Sequence, residues 1–480
     1  MARDASQSQL TDAGLPLGLA RELRRQNPWW TDDEPPAQPH FRRWPFQILL
    51  KRLTRRQQVA RINVLRGPRQ IGKTTLQYQL ILQLLAQGVA PRRILRVQFD
   101  ELKSFRALGE AEPILAILDW FADNILGQSI NRSARAGEPV MIFLDEVQNI
   151  ASWHVQLKAF VDRTDARLLV TGSSALRIEL GRDSLAGRIQ TLEIGPFRLS
   201  EIAAVRQFGN LPAFAEANGS GSWSHLAFWR ELVAHGQTHA KLRDRTFAAF
   251  SERGGYPLAQ NDEIEWPEVA EQLNETVIRR VIQHDLRIGE RGRRRDPELL
   301  EATFRFAARY CGQAPNPSEL ARQARDQLSA NVGVGRIRAY IKFLDSSLLI
   351  RAIEPLEMRL KKRRGAPKLC LSDHALRAAW LGEIVPLDSA GLKKHPGQSD
   401  LAGRVAESTA GYFLDSLGLS LRHLPTHGKS PGLDYILTAG DHRIPVEIKY
   451  QNSIDPIRDT RALVDFVGNP VNQAPIGIVR

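Results

Sequence analysis

The segment from Ile62 to Leu76 constrains this chain more than any other. Gly67 is followed by Pro68, Arg69, Gln70 and Ile71, then by Gly72, Lys73, Thr74 and Thr75, which fills the pattern G-x-x-x-x-G-K-[ST]. An apolar run, Ile62–Leu65, precedes the glycines, and a Leu/Ile-rich stretch follows them. A strand, a loop and a helix are therefore expected in that order. The pattern binds phosphate for a physical reason. Its glycines let the chain curl so that backbone N–H groups point inward at the β-phosphate. Lys73 then neutralises the β- and γ-phosphates, and the Thr74 hydroxyl ligates Mg²⁺. Residues 67–75 are the expected ATP cradle.

A second segment supports this reading. Val140-Met-Ile-Phe-Leu-Asp145-Glu146 is a short apolar run ending in two carboxylates. Buried parallel strands read this way, and residues at their C-terminal ends face the ligand crevice. Asp145 is expected to hold Mg²⁺ through water, and Glu146 to polarise the attacking water. Leu168-Leu-Val-Thr171-Gly-Ser173 is a further apolar strand ending in small polar residues. Ser173 or Thr171 is the candidate to sense the γ-phosphate. Arg177, Arg182 and Arg188 follow, and any of them is a candidate arginine finger, a cation that stabilises charge on the transferred phosphate. Asp100-Glu101 either joins the site or caps a helix.

From about 46 to 205, strands at Ile62–Leu65, Ile94–Phe99, Val140–Leu144, Leu168–Thr171 and Ile189–Ile194 alternate with helices at 73–86, 112–126 and 154–163. That alternation implies an α/β fold with a parallel sheet sandwiched by helices. At 480 residues the chain exceeds one ordinary core. The expected layout is an N-terminal arm (1–45), the ATPase domain (46–205), a helical lid or linker (206–300), a winged-helix-like domain (301–395) and a last α/β domain (396–480). The arm carries Trp29-Trp30, which is expected to pack against a neighbouring domain rather than face water. Cys311 and Cys370 are the two cysteines, which excludes a disulfide framework and a cysteine-based zinc site. No apolar run approaches membrane-spanning length, so no membrane partner and a cytoplasmic location are expected. A net charge of +13 favours a polyanionic partner.

The ATPase segments Gly67-Pro-Arg-Gln-Ile-Gly-Lys-Thr-Thr-Leu76, Leu144-Asp-Glu-Val-Gln148, Thr171-Gly-Ser-Ser174 and Leu185-Ala-Gly-Arg188 together resemble a prokaryotic family of AAA+-type P-loop ATPases. Its members carry a long C-terminal region first classed as a domain of unknown function. Arg253-Gly-Gly-Tyr-Pro257 is similar to that family's Gly-Gly turn, and His284-Asp-Leu286 to its Arg-Asp-Ile/Leu helix, with His284 in place of the usual arginine. The resemblance covers most of residues 45–450.

In the middle, Pro317-Ser-Glu-Leu-Ala321 opens a well-capped helix, and Gly333 to Leu344 reads as a second helix bearing Arg336, Arg338 and Lys342. Leu348–Ile353 then leads to a basic tip at Lys361–Arg364. This is the outline of a winged helix, with the second helix facing DNA in one reading and the whole element a packing module in the other.

In the last domain, Asp434 lies in Gly-Leu-Asp-Tyr-Ile-Leu, and Glu447-Ile-Lys449 follows on another apolar run. On a strand of period two, Glu447 and Lys449 share a face. With Asp434 on the neighbouring antiparallel strand, two carboxylates and an ammonium converge, a set able to bind Mg²⁺ and activate water for phosphodiester attack. The pattern resembles the PD-(D/E)xK restriction-endonuclease-like fold, and that resemblance implies a metal-ligating role for Glu407 on the preceding helix. The reading is an ATP-hydrolysing protein that binds nucleic acid, DNA ahead of RNA, with an ATP-gated Mg²⁺-dependent nuclease domain. The alternative is a non-cleaving ATP-dependent switch or remodeller, in which the nuclease fold is a scaffold. A homo-oligomer is open in either.

Overall fold

The computed structural model describes residues 11–12, 14–31, 33–102, 111–172, 185–214, 223–283, 296–357, 365–426, 431–451 and 453–479. The chain forms two compact units, Met1–Gly67 with Gly72–Ile194, and Gly195–Arg480 with Pro68–Ile71.

The first unit is built on five parallel strands: β1 (Ile62–Arg66), β2 (Ile94–Gln98), β3 (Met141–Asp145), β4 (Arg167–Gly172) and β5 (Ile189–Glu193). Their order across the sheet is β2-β3-β4-β1-β5. The central strands β3 and β4 are largely apolar without alternation, as strands covered by helices on both faces are. All five residues of β3 are buried accordingly. Ile62, Val64, Leu95, Ile142, Leu144 and Leu168 meet Phe121, Trp153 and Leu157 from the helices in one core. The strand after which the chain curls, β1, lies between β4 and β5, so the phosphate loop opens at the C-terminal edge beside the ends of β3 and β4. The helix leaving that loop is α2 (Lys73–Ala86).

The N-terminal arm solves the problem posed by β2, an edge strand with unpaired backbone groups. Helix α1 (Leu17–Gln26) buries Leu19 and Leu23, one turn apart, and ends where Asn27-Pro28 forbids another turn. The residues that follow treat β2 as a partner strand would. The Asn27 side chain donates to Arg96 O (2.7 Å) and accepts from Arg96 N (2.6 Å). Gln26 does the same for Gln98, at 3.1 and 2.8 Å. Both indoles, Trp29 and Trp30, donate to Ile94 O. The tryptophan pair is thus packed and hydrogen-bonded within its own unit.

In the second unit, helix α3 (Ala240–Arg253) ends at Gly254, whose φ of +77° suits glycine. A side chain there would strike the Asp373 carboxylate, 2.2 Å from the position of its Cβ. That buried carboxylate accepts from Gly255 N (2.6 Å) and from Ala375 N (2.9 Å), where it caps α8 (His374–Leu381). One side chain so joins the Gly-Gly turn to a helix far along the chain. Between them lie α5 (Pro297–Arg309), α6 (Pro317–Leu328), α7 (Val334–Ser346) and the antiparallel pair β6 (Ile350–Ile353) and β7 (Lys368–Leu371). Asn316 caps α6 by accepting from Ser318 N (2.9 Å). Arg336, Arg338 and Lys342 are exposed on α7, and Arg336 stands 3.5 Å from Asp296. The candidates at His284–Leu286 and Lys361–Arg364 lie outside the described residues.

The C-terminal part places α9 (Ser399–Asp415) before a four-stranded sheet of β8 (Ser420–Leu424), β9 (Leu433–Ala439), β10 (His442–Glu447) and β11 (Ile478–Val479). The first three strands are antiparallel neighbours, and β11 joins β10 in parallel. Helix α4 (Trp266–Gln272) lies between α3 and α5 in the chain.

His423 on β8 gives the fold a pH dependence. Its ring is 2% exposed, with Nε2 3.0 Å from Ala366 O. Burial, helped by the nearby Lys368 charge, holds its pKa down from 6.5 to about 4. The folded state keeps the ring neutral where an unfolded chain would protonate it. Its stabilising contribution is therefore complete above 6.5 and is lost as pH falls through that window towards about 4. His423→Gln should have a shallower acid limb than wild type when melting temperature is followed across the window. Parallel curves for the two proteins would rule out a buried neutral His423.

Candidate functional site

The phosphate loop has the backbone its sequence requires. Gly72 sits at φ +89° and Gln70 at φ +60°, the left-handed turns that aim consecutive N–H groups inward. Lys73 opens α2 with its ammonium buried and donating to Gly67 O at 2.9 Å. Thr74 Oγ1 donates to Asp145 Oδ2 at 2.7 Å. The hydroxyl and carboxylate expected to share Mg²⁺ are thus in contact, at the junction of α2 and β3. This donor set fits a magnesium ion, which Thr74 and Asp145 would hold. Thr171, at the end of β4, donates to the other oxygen of Asp145 and accepts from Gln77 (3.1 Å).

Glu146 follows β3 with φ +53°, an uncommon value for a residue with a side chain. Such strain persists where the surroundings over-determine it and clusters at working sites. Its carboxylate accepts a hydrogen bond from Gln148. Asp100 belongs to the same neighbourhood. Its pKa is raised by desolvation first and then by the charges of Glu146 and Asp145.

Of the four remaining candidates, Arg188 alone lies among the described residues. Ser173, with Arg177 and Arg182, lies outside the described residues. Arg188 sits at the wrong end of its own sheet for its own nucleotide. Its carbonyl accepts from Ile62 N (3.0 Å), at the start of β1, and its guanidinium pairs with Asp162 at 2.5 Å. The length of β1, about 16 Å at roughly 3.3 Å per residue, separates that edge from the phosphate loop. There Arg188 lines a cleft of about 1000 Å³ together with Arg56, Arg61, Arg135 and Arg167.

Sequence reading passed over Arg96. It is wholly buried on β2, with Nη2 3.5 Å from Asp145 Oδ2. The available signal was a lone charge inside the apolar run Ile94-Leu-Arg-Val.

The C-terminal residues converge as the strand argument requires. β9 and β10 pair with Tyr435 opposite Val446, which sets Asp434 across from Glu447. Asp434 N stands 3.4 Å from Glu447 Oε2, Ile448 N donates to Asp434 Oδ2 at 2.9 Å, and Lys449 Nζ donates to Glu447 Oε1 at 2.7 Å. Glu447 is pushed above the usual carboxylate range by burial and then by Asp434.

Glu407 has a different partner from the one its expected role implies. Lys368, from β7, donates to Glu407 and lies 3.2 Å from Asp434 Oδ1, with its side chain 9% exposed. Burial, reinforced by Asp434, pushes Glu407 upward against the pull of that ammonium. Among the described residues, no three His, Cys, Asp or Glu side chains stand together so as to hold a metal ion. Asp434 and Glu447 are thus the two carboxylates that face each other across the strand pair, while Glu407 is tied to an ammonium. Lys368 also escaped sequence reading, although a lysine within Pro367-Lys-Leu-Cys-Leu371 stands out in an apolar strand.

Comparison with known proteins separates the two sites. Residues 59–203 match the family described as AAA domain. These residues form a P-loop ATPase domain. Residues 244–384 match a family described as a domain of unknown function, DUF8612, which ends before α9 and the C-terminal sheet. Over 424 residues the chain is 25% identical to an uncharacterized protein of Mycobacterium tuberculosis, covering 86% of this chain and 76% of that one. It is 23% identical over 380 residues to an uncharacterized protein of Methanocaldococcus jannaschii, covering 78% and 72% respectively. A crystal structure of Cdc6p from Pyrobaculum aerophilum aligns at 14% identity and a TM-score of 0.27, over 74% of this chain and 97% of that one. That likeness is too loose to carry an argument. No described helix is long and apolar enough to cross a membrane.

Proposed function

We propose that the chain couples ATP hydrolysis to the handling of nucleic acid, with DNA as the preferred substrate, and that its C-terminal sheet cuts phosphodiester bonds. The Thr74–Asp145 contact, beside a phosphate loop of the required backbone, supports the ATPase half. The opposition of Asp434 and Glu447 on adjacent strands, with Lys449 on the same edge, supports the second half and carries the nuclease reading. A divalent cation there would supply a Lewis acid and a lowered water pKa. Asp434 and Glu447 would hold it, while Lys449 keeps the Glu447 carboxylate oriented and adds positive charge near the scissile phosphate.

The net charge of +13 and the exposed Arg336, Arg338 and Lys342 of α7 support a polyanionic partner, bound by a winged-helix-like element of α6, α7 and the β6–β7 pair. Arg188, too far from its own phosphate loop, would serve a nucleotide only on a second copy of the chain. One observation favours the alternative of a non-cleaving switch: Lys368 already neutralises Glu407 and Asp434.

The deciding experiment incubates wild type, Asp434→Ala/Glu447→Ala and Lys73→Ala with labelled linear, circular and branched DNA in Mg²⁺ or Mn²⁺, with and without ATP. Cleavage lost in the double variant while its ATPase persists supports the nuclease, and Lys73→Ala reports whether ATP gates it. DNA binding and ATPase with no cleavage in any arm would leave the switch.

A further inference from the structure

Arg96 is a wholly buried cation held at both terminal nitrogens of its guanidinium. Its Nη1 donates to Tyr78 Oη at 2.9 Å, the guanidinium lies 4.3 Å from the Tyr78 ring centroid, and Nη2 donates to Gln98 Oε1. The same Nη2 stands 3.5 Å from Asp145 Oδ2, the oxygen that also accepts from Thr74. A guanidinium stays protonated in proteins, so this charge is permanent. Its position is set from outside the sheet. Asn27, itself 0% exposed, grips both the N–H and the C=O of Arg96, and its amide also donates to Leu23 O at 2.8 Å, tying the strand to α1.

We propose that the N-terminal helix is a working part of the ATPase site: through Asn27 it holds β2 so that Arg96 serves as the fixed counter-charge of Asp145. The inference rests on the ATP site described above. In that site the Asp145 carboxylate faces the place where nucleotide phosphates arrive, and like charges repel there. When Mg²⁺ accompanies the nucleotide, the metal offsets the carboxylate. When it does not, Arg96 supplies the offset from the opposite side. Arg96 is thus a positioning residue, set apart from the groups that touch the nucleotide, and its signature is the metal dependence of nucleotide affinity.

The test titrates the full chain with a fluorescent methylanthraniloyl-ADP, once in EDTA and once in Mg²⁺, and reads the ratio of the two Kd values. Arg96→Met should raise the ratio by about tenfold, since a unit charge at an effective dielectric near 20 is worth at least that much out to roughly 12 Å. Arg96→Lys keeps the charge and should return the ratio to within about threefold of wild type. Asn27→Ala, which loosens the grip on β2, should raise it in the same direction by a smaller factor. A purely structural role predicts lower melting temperature and equal weakening in both buffers. An unchanged ratio in Arg96→Met and Asn27→Ala overturns the proposal. Should Arg96→Met fail to fold, the ratio in Asn27→Ala decides alone. Wild type that binds no nucleotide in either buffer overturns the ATP site itself.

Discussion

Glu146→Gln lowers the turnover of ATP hydrolysis by about 10²- to 10⁴-fold, the range a positioned general base contributes, while nucleotide affinity stays within a few-fold of wild type. The substitution is nearly isosteric, and the amide oxygen can still accept from Gln148, so the strained backbone at φ +53° keeps its side chain in place. What is lost is the negative charge that draws a proton from water. Lys73→Ala should behave differently, weakening binding and turnover together, because its ammonium acts on ground-state phosphates as well as on the transition state. Phosphate release and fluorescent-nucleotide binding on the two variants separate these outcomes. Wild-type turnover in Glu146→Gln would remove it as the base and move attention to Asp100, whose raised pKa owes part of its shift to Glu146 itself.

Lys368→Met should cost the second unit about 3–5 kcal/mol, the penalty for breaking a buried ion pair by removing one partner. Its ammonium bridges Glu407 and Asp434, and the ion-paired side chains are 9, 19 and 20% exposed. Methionine fills similar volume but leaves two carboxylates facing each other without a cation. Lys368→Met/Glu407→Gln, which removes one of the two stranded charges, should recover a large part of the loss. Chemical denaturation of the three proteins checks the prediction. A single variant as stable as wild type would mean that the bridge carries no net energy, as happens when desolvation offsets the attraction.

The elements of the first unit were legible because their signals are local. The strand expected at Ile62–Leu65 is observed as Ile62–Arg66, and the helix expected at 73–86 is observed over the same residues. A mostly apolar run needs no distant information to be read as a covered strand. The Asp434–Glu447 pairing was legible for a related reason: a period-two strand and a short return predict which residues share an edge. The place of Arg188 was not legible, because its neighbouring motif says nothing about which end of the sheet it occupies. The strand register answers that, with Ile189 paired to Ile62.

The amino-acid sequence by itself determined the phosphate loop, the carboxylates that end β3 and the apolar strands that bring them together, since each depends on residues only a few positions apart. The tertiary structure alone decided where the buried cations go. Arg96 reaches Asp145 because Asn27, 69 positions away, holds its strand, and Lys368 reaches Asp434 across 66 positions. A charge in an apolar strand must find its counter-charge or remain outside the core. Which counter-charge it finds is a property of the packed molecule, since the partners meet only after the sheet and the elements packed against it are in place.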